Sequence, residues 1–231
     1  MAHVCRRLRV LGLVLMLALL PLMPNASVHA AAITSTYRTP IVIGTGADPD
    51  ITTYDGMYYL LFNSDQPASE VRMRVAASLA GLADATDIVV WTPPPSMPQI
   101  CCDVGWGGYL LPYSGRWYIY MQGDNGGSNP VLQSFVLESS GNNPLGPYAF
   151  KAFIPGVSGN YADGSYAAGG WQVGSQLYMF ETGSGNGGIY VAKASNPWTL
   201  TSGFTLIDAV SNEDEGSSLR VHNGTVYDPG V

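Results

Sequence analysis

From residue 39 onward the chain alternates short aromatic and branched runs with clusters of Gly, Asn, Asp, Ser and Pro. Tyr54-Asp55-Gly56-Met57-Tyr58-Tyr59-Leu60-Leu61-Phe62 reads as a tight turn feeding a strand. Asp-Gly tolerates the positive-φ positions of a two-residue hairpin, and the aromatic run suits a pleated surface. Tyr113-Ser114-Gly115-Arg116-Trp117-Tyr118-Ile119-Tyr120-Met121 repeats the unit, as do Val173 to Phe180 and His222-Asn223-Gly224-Thr225-Val226-Tyr227. Aligning Tyr59, Tyr118, Tyr178 and Tyr227 gives spacings of 59, 60 and 49 residues. A second mark, Asn143-Pro144-Leu145-Gly146-Pro147-Tyr148, recurs in part as Asn196-Pro197-Trp198-Thr199, with the first Pro of each 53 residues apart. Ala76 to Ala85 is the one stretch that accommodates a helical turn or two.

Turn-linked strands repeating every 50 to 60 residues predict an all-β chain, built as a β-propeller. A blade of about four antiparallel strands cannot bury both faces alone and must stack on its neighbours. A β-sandwich would give turn signals without this long self-similarity. Gly183-Ser184-Gly185-Asn186-Gly187-Gly188 fits a dinucleotide-binding glycine pattern, but a strand-like run follows it where a helix is required, so it is predicted to be a hairpin loop.

Charge changes the picture mainly by exclusion. Charged residues make up 12% of the chain and hydrophobic ones 46%, and the formal net charge is −7. Low charge with many aromatics excludes a disordered chain, and an acidic surface without a basic patch excludes nucleic acid as a partner. Arg6, Arg7 and Arg9 precede an apolar stretch from Val10 to Met23, and small residues follow through Ala30-Ala31. This is the pattern of a secretory signal over residues 1–30, with 31–38 as a linker and the propeller domain over 39–231. The apolar run is short for a membrane span and carries Pro21, so no stable membrane insertion is expected after cleavage. Loss of the leader removes three Arg and no acid, deepening the net charge to −10.

The 201 residues that remain hold one histidine, His222, and two cysteines, the neighbours Cys101 and Cys102. A His/Cys zinc site lacks ligands, and a serine triad would have to use a histidine lying in a turn-like His-Asn-Gly segment. Cys101 and Cys102 cannot link distant strands; a vicinal disulfide and two buried thiols are both open. Chemistry therefore falls to carboxylates. Upstream of each aligned Tyr lies the strand that would line a propeller's channel, and there stand Asp48, Asp163 and Glu215, at eleven, fifteen and twelve residues. In the second unit Trp106 occupies that place, twelve residues before Tyr118. Asp-Pro and Asp-Gly are ordinary turn formers, so the coincidence of three such sites with the repeat is what singles them out. Asp50 is the alternative to Asp48, and Glu213 to Glu215.

Ala47-Asp48-Pro49-Asp50-Ile51 with its following hairpin resembles the opening blade of family 43 glycoside hydrolases, the five-bladed propellers that include arabinanases, arabinofuranosidases and β-xylosidases. Ala162-Asp163-Gly164-Ser165 resembles that family's third-blade motif, and Glu215-Gly216-Ser217-Ser218-Leu219 through Tyr227 its fourth. The resemblance implies Asp48 as general base, Glu215 as general acid, and Asp163 as the residue that tunes and orients the acid. It implies an inverting glycosidase on arabinose- or xylose-containing plant polysaccharides, secreted, with no redox cofactor and room for a structural calcium. Trp106 would stack on sugar, although Gly107-Gly108-Tyr109 departs from the family's Trp-Ala-Pro-acid sequence; inter-blade packing is its other reading. Trp171 and Trp198 are expected in the core. A non-catalytic carbohydrate-binding propeller, or a glycosidase or fructosyl-transferring enzyme of another five-bladed family, are the alternative functions. At about 50 residues per blade the chain holds three to four blades, so the expected five-bladed propeller is incomplete at its C-terminal end.

Overall fold

The computed structural model describes residues 47–63, 69–125, 132–155, 165–183, 188–208, 220–222 and 225–227. All lie within one compact unit, Thr36–Val231, and the expected leader and linker lie outside the described residues. Strands β1 (Ala47–Tyr54), β2 (Met57–Asn63), β3 (Val71–Ala76) and β4 (Ile88–Trp91) form an antiparallel meander. A second follows in β5 (Asp103–Tyr113), β6 (Arg116–Asp124), β7 (Gln133–Ser139) and β8 (Tyr148–Phe153). In the third, β9 (Ser165–Val173), β10 (Gln176–Gly183) and β11 (Gly188–Asn196) pair in order, and β12 (Thr199–Leu200) and β13 (Thr205–Asp208) both pair with β11. A hairpin of β14 (Arg220–His222) and β15 (Thr225–Tyr227) opens a fourth unit. The sparse helical signal resolves into a 3-10 turn at Ala80–Ala83, with another at Pro98–Ile100.

The hairpins have the turn chemistry their sequences demand. Asp55 and Gly56 take φ of 48° and 74°, and Ser114 and Gly115 take 50° and 76°, the doubly positive pattern of a type I′ turn. The third turn has positive φ only at Gly174, at 60°, where glycine opens a type II′ turn. Register confirms the internal repeat. Tyr59 pairs with Thr52, Tyr118 with Leu111, Tyr178 with Trp171 and Tyr227 with Arg220, so each aligned Tyr faces the residue seven positions upstream. Gly183 and Gly188 pair across β10 and β11, and the expected hairpin loop at 184–187 lies outside the described residues.

The first strands pack side by side in the series β1, β5, β9, β14, which makes them the inner strands of successive blades. Two core clusters lie between blades, and a smaller one, Leu60, Phe62 and Leu82, lies within the first. Along β6, Trp117, Ile119 and Met121 enter the core shared with the first sheet, beside Leu61, Met73 and Phe135. The intervening Tyr118 and Tyr120 enter the core shared with the third, beside Trp171, Met179 and Phe180. Alternating side chains thus serve opposite faces, and a strand buried on both reads as one apolar run. Trp171 is buried in this second core, and Trp198 packs against it half-buried.

Close approach of the second and third blades depends on two glycines of β9. A Cβ on Gly169 would collide with the Phe180 ring and lie 2.9 Å from Tyr109, and one on Gly170 would lie 2.8 Å from the Tyr120 hydroxyl. At the outer part of the same junction Tyr118 and Trp198 have ring centroids 5.8 Å apart. Lys151 Nζ sits 4.1 Å from the Trp198 ring centroid and 3.0 Å from Glu138, whose other oxygen accepts from the Tyr118 hydroxyl at 2.9 Å.

Candidate active site

Asp48 is the second residue of β1, at the start of the innermost strand of the first blade. Strand register fixes its level relative to the second blade. Ala47 pairs with Asn63, four residues beyond Tyr59, and Trp106 pairs with Gln122, four residues beyond Tyr118. Trp106 therefore stands level with Ala47, beside Asp48, on the adjoining inner strand. For Asp48 and Trp106 the described part is the backbone. In the third blade this level falls at Ala167, opposite Thr182, and Asp163 lies four residues further upstream, outside the described residues. Glu215, with its alternative Glu213, also lies outside them, as does the rest of the segment leading into β14.

Of Asp48 and its alternative Asp50, the structure describes the side chain of Asp50. Asp50 is 1% exposed, and its Oδ2 accepts a hydrogen bond from the backbone N–H of Leu110 at 2.9 Å. This carboxylate ties β1 to β5 within the inter-blade packing, where it has no face open to an incoming water. The register shifts between Ala47 and Asp50, a β-bulge just before the buried acid. Bulges also interrupt β5 between Asp103 and Trp106 and between Trp106 and Tyr109.

A buried polar chain supports the same end of the second and third blades, and nothing in the motif spacing announces it. Gln122 Nε2 donates to Ser134 Oγ at 3.1 Å, and Ser134 Oγ donates to Glu181 Oε1 at 3.2 Å. Gln122 is the partner of Trp106, and Glu181 pairs with Ala168 on the strand that follows Asp163. Gln122 and Glu181 are each 1% exposed, so this chain joins β6 and β7 of the second blade to β10 of the third at a buried point. The visible signal was polar residues at the ends of otherwise apolar runs, Met121-Gln122 and Phe180-Glu181. Among the described residues no three His, Cys, Asp or Glu side chains stand close enough to hold a metal ion.

Of the two states open to the cysteines, the structure has the disulfide: Cys101 and Cys102 are bonded to each other immediately before β5, with Cα atoms 3.7 Å apart. Cys102 is exposed and Cys101 half-buried.

Comparison with known proteins agrees with this geometry. The model of "Glycosyl hydrolases family 43" matches residues 37–227. An extracellular exo-alpha-(1->5)-L-arabinofuranosidase of Streptomyces avermitilis is 28% identical over 224 residues, covering 91% of this chain and 46% of that protein. Alpha-L-arabinofuranosidase B of Pyricularia oryzae is 29% identical over 203 residues, covering 78% of this chain and 40% of its own. The chain thus spans about half the length of the curated relatives it matches. Among solved structures, an alpha-L-arabinofuranosidase from Lactobacillus brevis superposes with a TM-score of 0.70 at 21% identity, over 82% of this chain and 64% of that one. A GH43 beta-xylosidase/alpha-arabinofuranosidase from a compost metagenome, in complex with xylotriose, gives 0.61 at 17%, over 83% and 72%. These neighbours are five-bladed propellers, of which the described residues here supply three sheets and a further hairpin, with the ring not closed. Matched by that family's model from residue 37 to residue 227, the chain belongs to glycosyl hydrolases family 43.

Proposed function

We infer that the protein is a secreted glycosidase that cleaves arabinose- or xylose-containing plant polysaccharides with inversion at the anomeric carbon. Asp48 is the general base, Glu215 the general acid and Asp163 the residue that raises the acid's pKa and orients it. Family membership supports the reaction class, and the relatives named as arabinofuranosidases support the sugar. Two relatives named as extracellular, with the leader pattern of residues 1–30, support export. The observation that carries the site assignment is the level of Asp48: it heads an inner strand beside Trp106, while its neighbour Asp50 is committed to Leu110.

The chemistry requires groups of this kind on different blades. Inversion needs one carboxylate to activate water and a protonated carboxyl to assist the leaving oxygen, about 6.5–9.5 Å apart so that the water fits between. An isolated Glu has a pKa of about 4.3 and would be ionised at neutral pH, so a nearby negative charge is needed to hold its proton. Rigid strands of separate blades fix that spacing better than neighbours on one loop. A panel of nitrophenyl glycosides, followed by proton NMR of the first product formed, tests the proposal. Release from the α-L-arabinofuranoside or β-D-xyloside with the anomer inverted is expected; retention, or no release from any glycoside, would reject it.

A further inference from the structure

Cys101 and Cys102 form a covalent feature that neither the core nor the carboxylate chemistry uses. A disulfide stabilises a fold chiefly by closing a loop in the unfolded chain, and its effect grows with the length of that loop. Between adjacent residues there is no loop to close. What the bond can do is local: it fuses two residues into a small rigid ring. That ring is firmly mounted. Ile100 before it is fully buried in the core between the first and second blades. After it, the Cys102 N–H meets the Asp124 carbonyl at 3.5 Å, continuing the β5–β6 ladder by one step. Cys102 remains exposed on this mount.

Its level along the channel follows from the strand register. Trp106, opposite Gln122, is level with Ala47 beside Asp48, and Asp103 is opposite Asp124, two residues further along β6. At about 3.3 Å per residue the ring stands roughly 7–10 Å beyond the Asp48 level, toward the N-terminal ends of the inner strands. That places it on the second blade at the N-terminal lip of the inner strands. A disulfide carries no charge and only weak acceptors, and its sulfurs are large and polarisable. Such a surface matches the C–H face of a sugar ring, through dispersion and loss of apolar hydration. It also leaves the proton chemistry of the carboxylates undisturbed, which a charged side chain at the lip would not.

We propose that the Cys101–Cys102 disulfide is a substrate-positioning surface, packing against the apolar face of a sugar unit one or two places away from the unit being cleaved. The proposal rests on the glycosidase reading above. It makes the disulfide a determinant of chain-length preference: a substrate with a single sugar does not reach it, and an oligosaccharide does.

The test compares the full-length protein with its Cys101→Ser/Cys102→Ser variant on two substrates, p-nitrophenyl α-L-arabinofuranoside and a linear α-1,5-arabinopentaose. The corresponding xyloside and xylopentaose replace them if the xyloside is the better substrate. For the variant, kcat/KM on the pentasaccharide falls about tenfold, the scale of one lost apolar contact, with the loss in KM. On the nitrophenyl glycoside it stays within about twofold, again by the scale of that contact. Reducing the wild-type protein with a phosphine reproduces the selective loss, and reoxidation restores it. An unchanged ratio between the two substrates overturns the proposal while leaving the glycosidase reading intact. Equal losses on both also overturn it, because they mark a distorted fold or reacting centre. A wild-type protein that cleaves neither substrate overturns the glycosidase reading, and the proposal with it.

Discussion

The carboxylate of Asp50 accepts the backbone N–H of Leu110 at 2.9 Å, joining the inner strands of the first two blades at a fully buried point. Inner strands of neighbouring blades do not share a ladder, so a side chain must satisfy that amide. Asp50→Ala leaves it without its acceptor and lowers unfolding free energy by about 1–3 kcal/mol. Asp50→Asn keeps an acceptor oxygen and loses less. Urea denaturation midpoints of the two variants measure the difference, and equal midpoints would remove the structural role given to Asp50.

Gly169 sets how closely the third blade approaches the second. Gly169→Ala pushes a methyl group into the Phe180 ring and against Tyr109, both packed in the inter-blade core. Overpacking of this kind costs about 1–3 kcal/mol. Thermal unfolding should show a lowered midpoint for Gly169→Ala and little change for Gly203→Ala, where a Cβ meets nothing within 4 Å.

Glu138 gives the junction a dependence on acid. Burial pushes its carboxyl up, but hydrogen bonds from Lys151 and Tyr118 and the charges of Lys151 and Arg116 outweigh burial and hold it below the ordinary carboxylate value. A depressed folded pKa contributes stability that is fully present above the unfolded value, about 4.3, and is lost as pH falls through the folded value. The side chains of Lys151 and Glu138 are 31% and 20% exposed, so solvent screening keeps the contribution at neutral pH to about 1 kcal/mol or less. Glu138→Gln is therefore less stable than wild type at pH 7, and the two converge as pH falls below about 4. Denaturation midpoints across that range check the sign; a gap that widens in acid would refute it.

The repeat was legible because it is written in turn chemistry and aromatic runs. Asp55-Gly56 and Ser114-Gly115 adopt the positive φ their residues favour, and the tyrosine alignment is reproduced by strand register in all four hairpins. The distinction between Asp48 and Asp50 was not legible. The two acids are separated only by Pro49, and the register shift between Ala47 and Asp50 leaves no residue-type signature. Trp106 at the Asp48 level could be read by counting residues, because one bulge in β1 and one in β5, between Trp106 and Tyr109, keep the two offsets matched. The Gln122–Ser134–Glu181 chain was hidden for a different reason. It joins strands of two blades, and Ser134 and Glu181 are 47 residues apart. The state of the cysteines depended on the geometry between the Pro98–Ile100 turn and β5, which composition does not encode.

Two acids separated by one proline provide the most direct test of the site. The measurement is kcat/KM on the best nitrophenyl glycoside for Asp48→Asn beside Asp50→Asn, with the unfolding midpoint recorded for each. Loss of a general base costs on the order of 10²–10⁴ in rate. Asp48→Asn should fall by that amount with its midpoint unchanged, while Asp50→Asn retains most of its turnover at a lowered midpoint. Wild-type turnover in Asp48→Asn, or loss of turnover confined to Asp50→Asn, would contradict the assignment of Asp48 as the base.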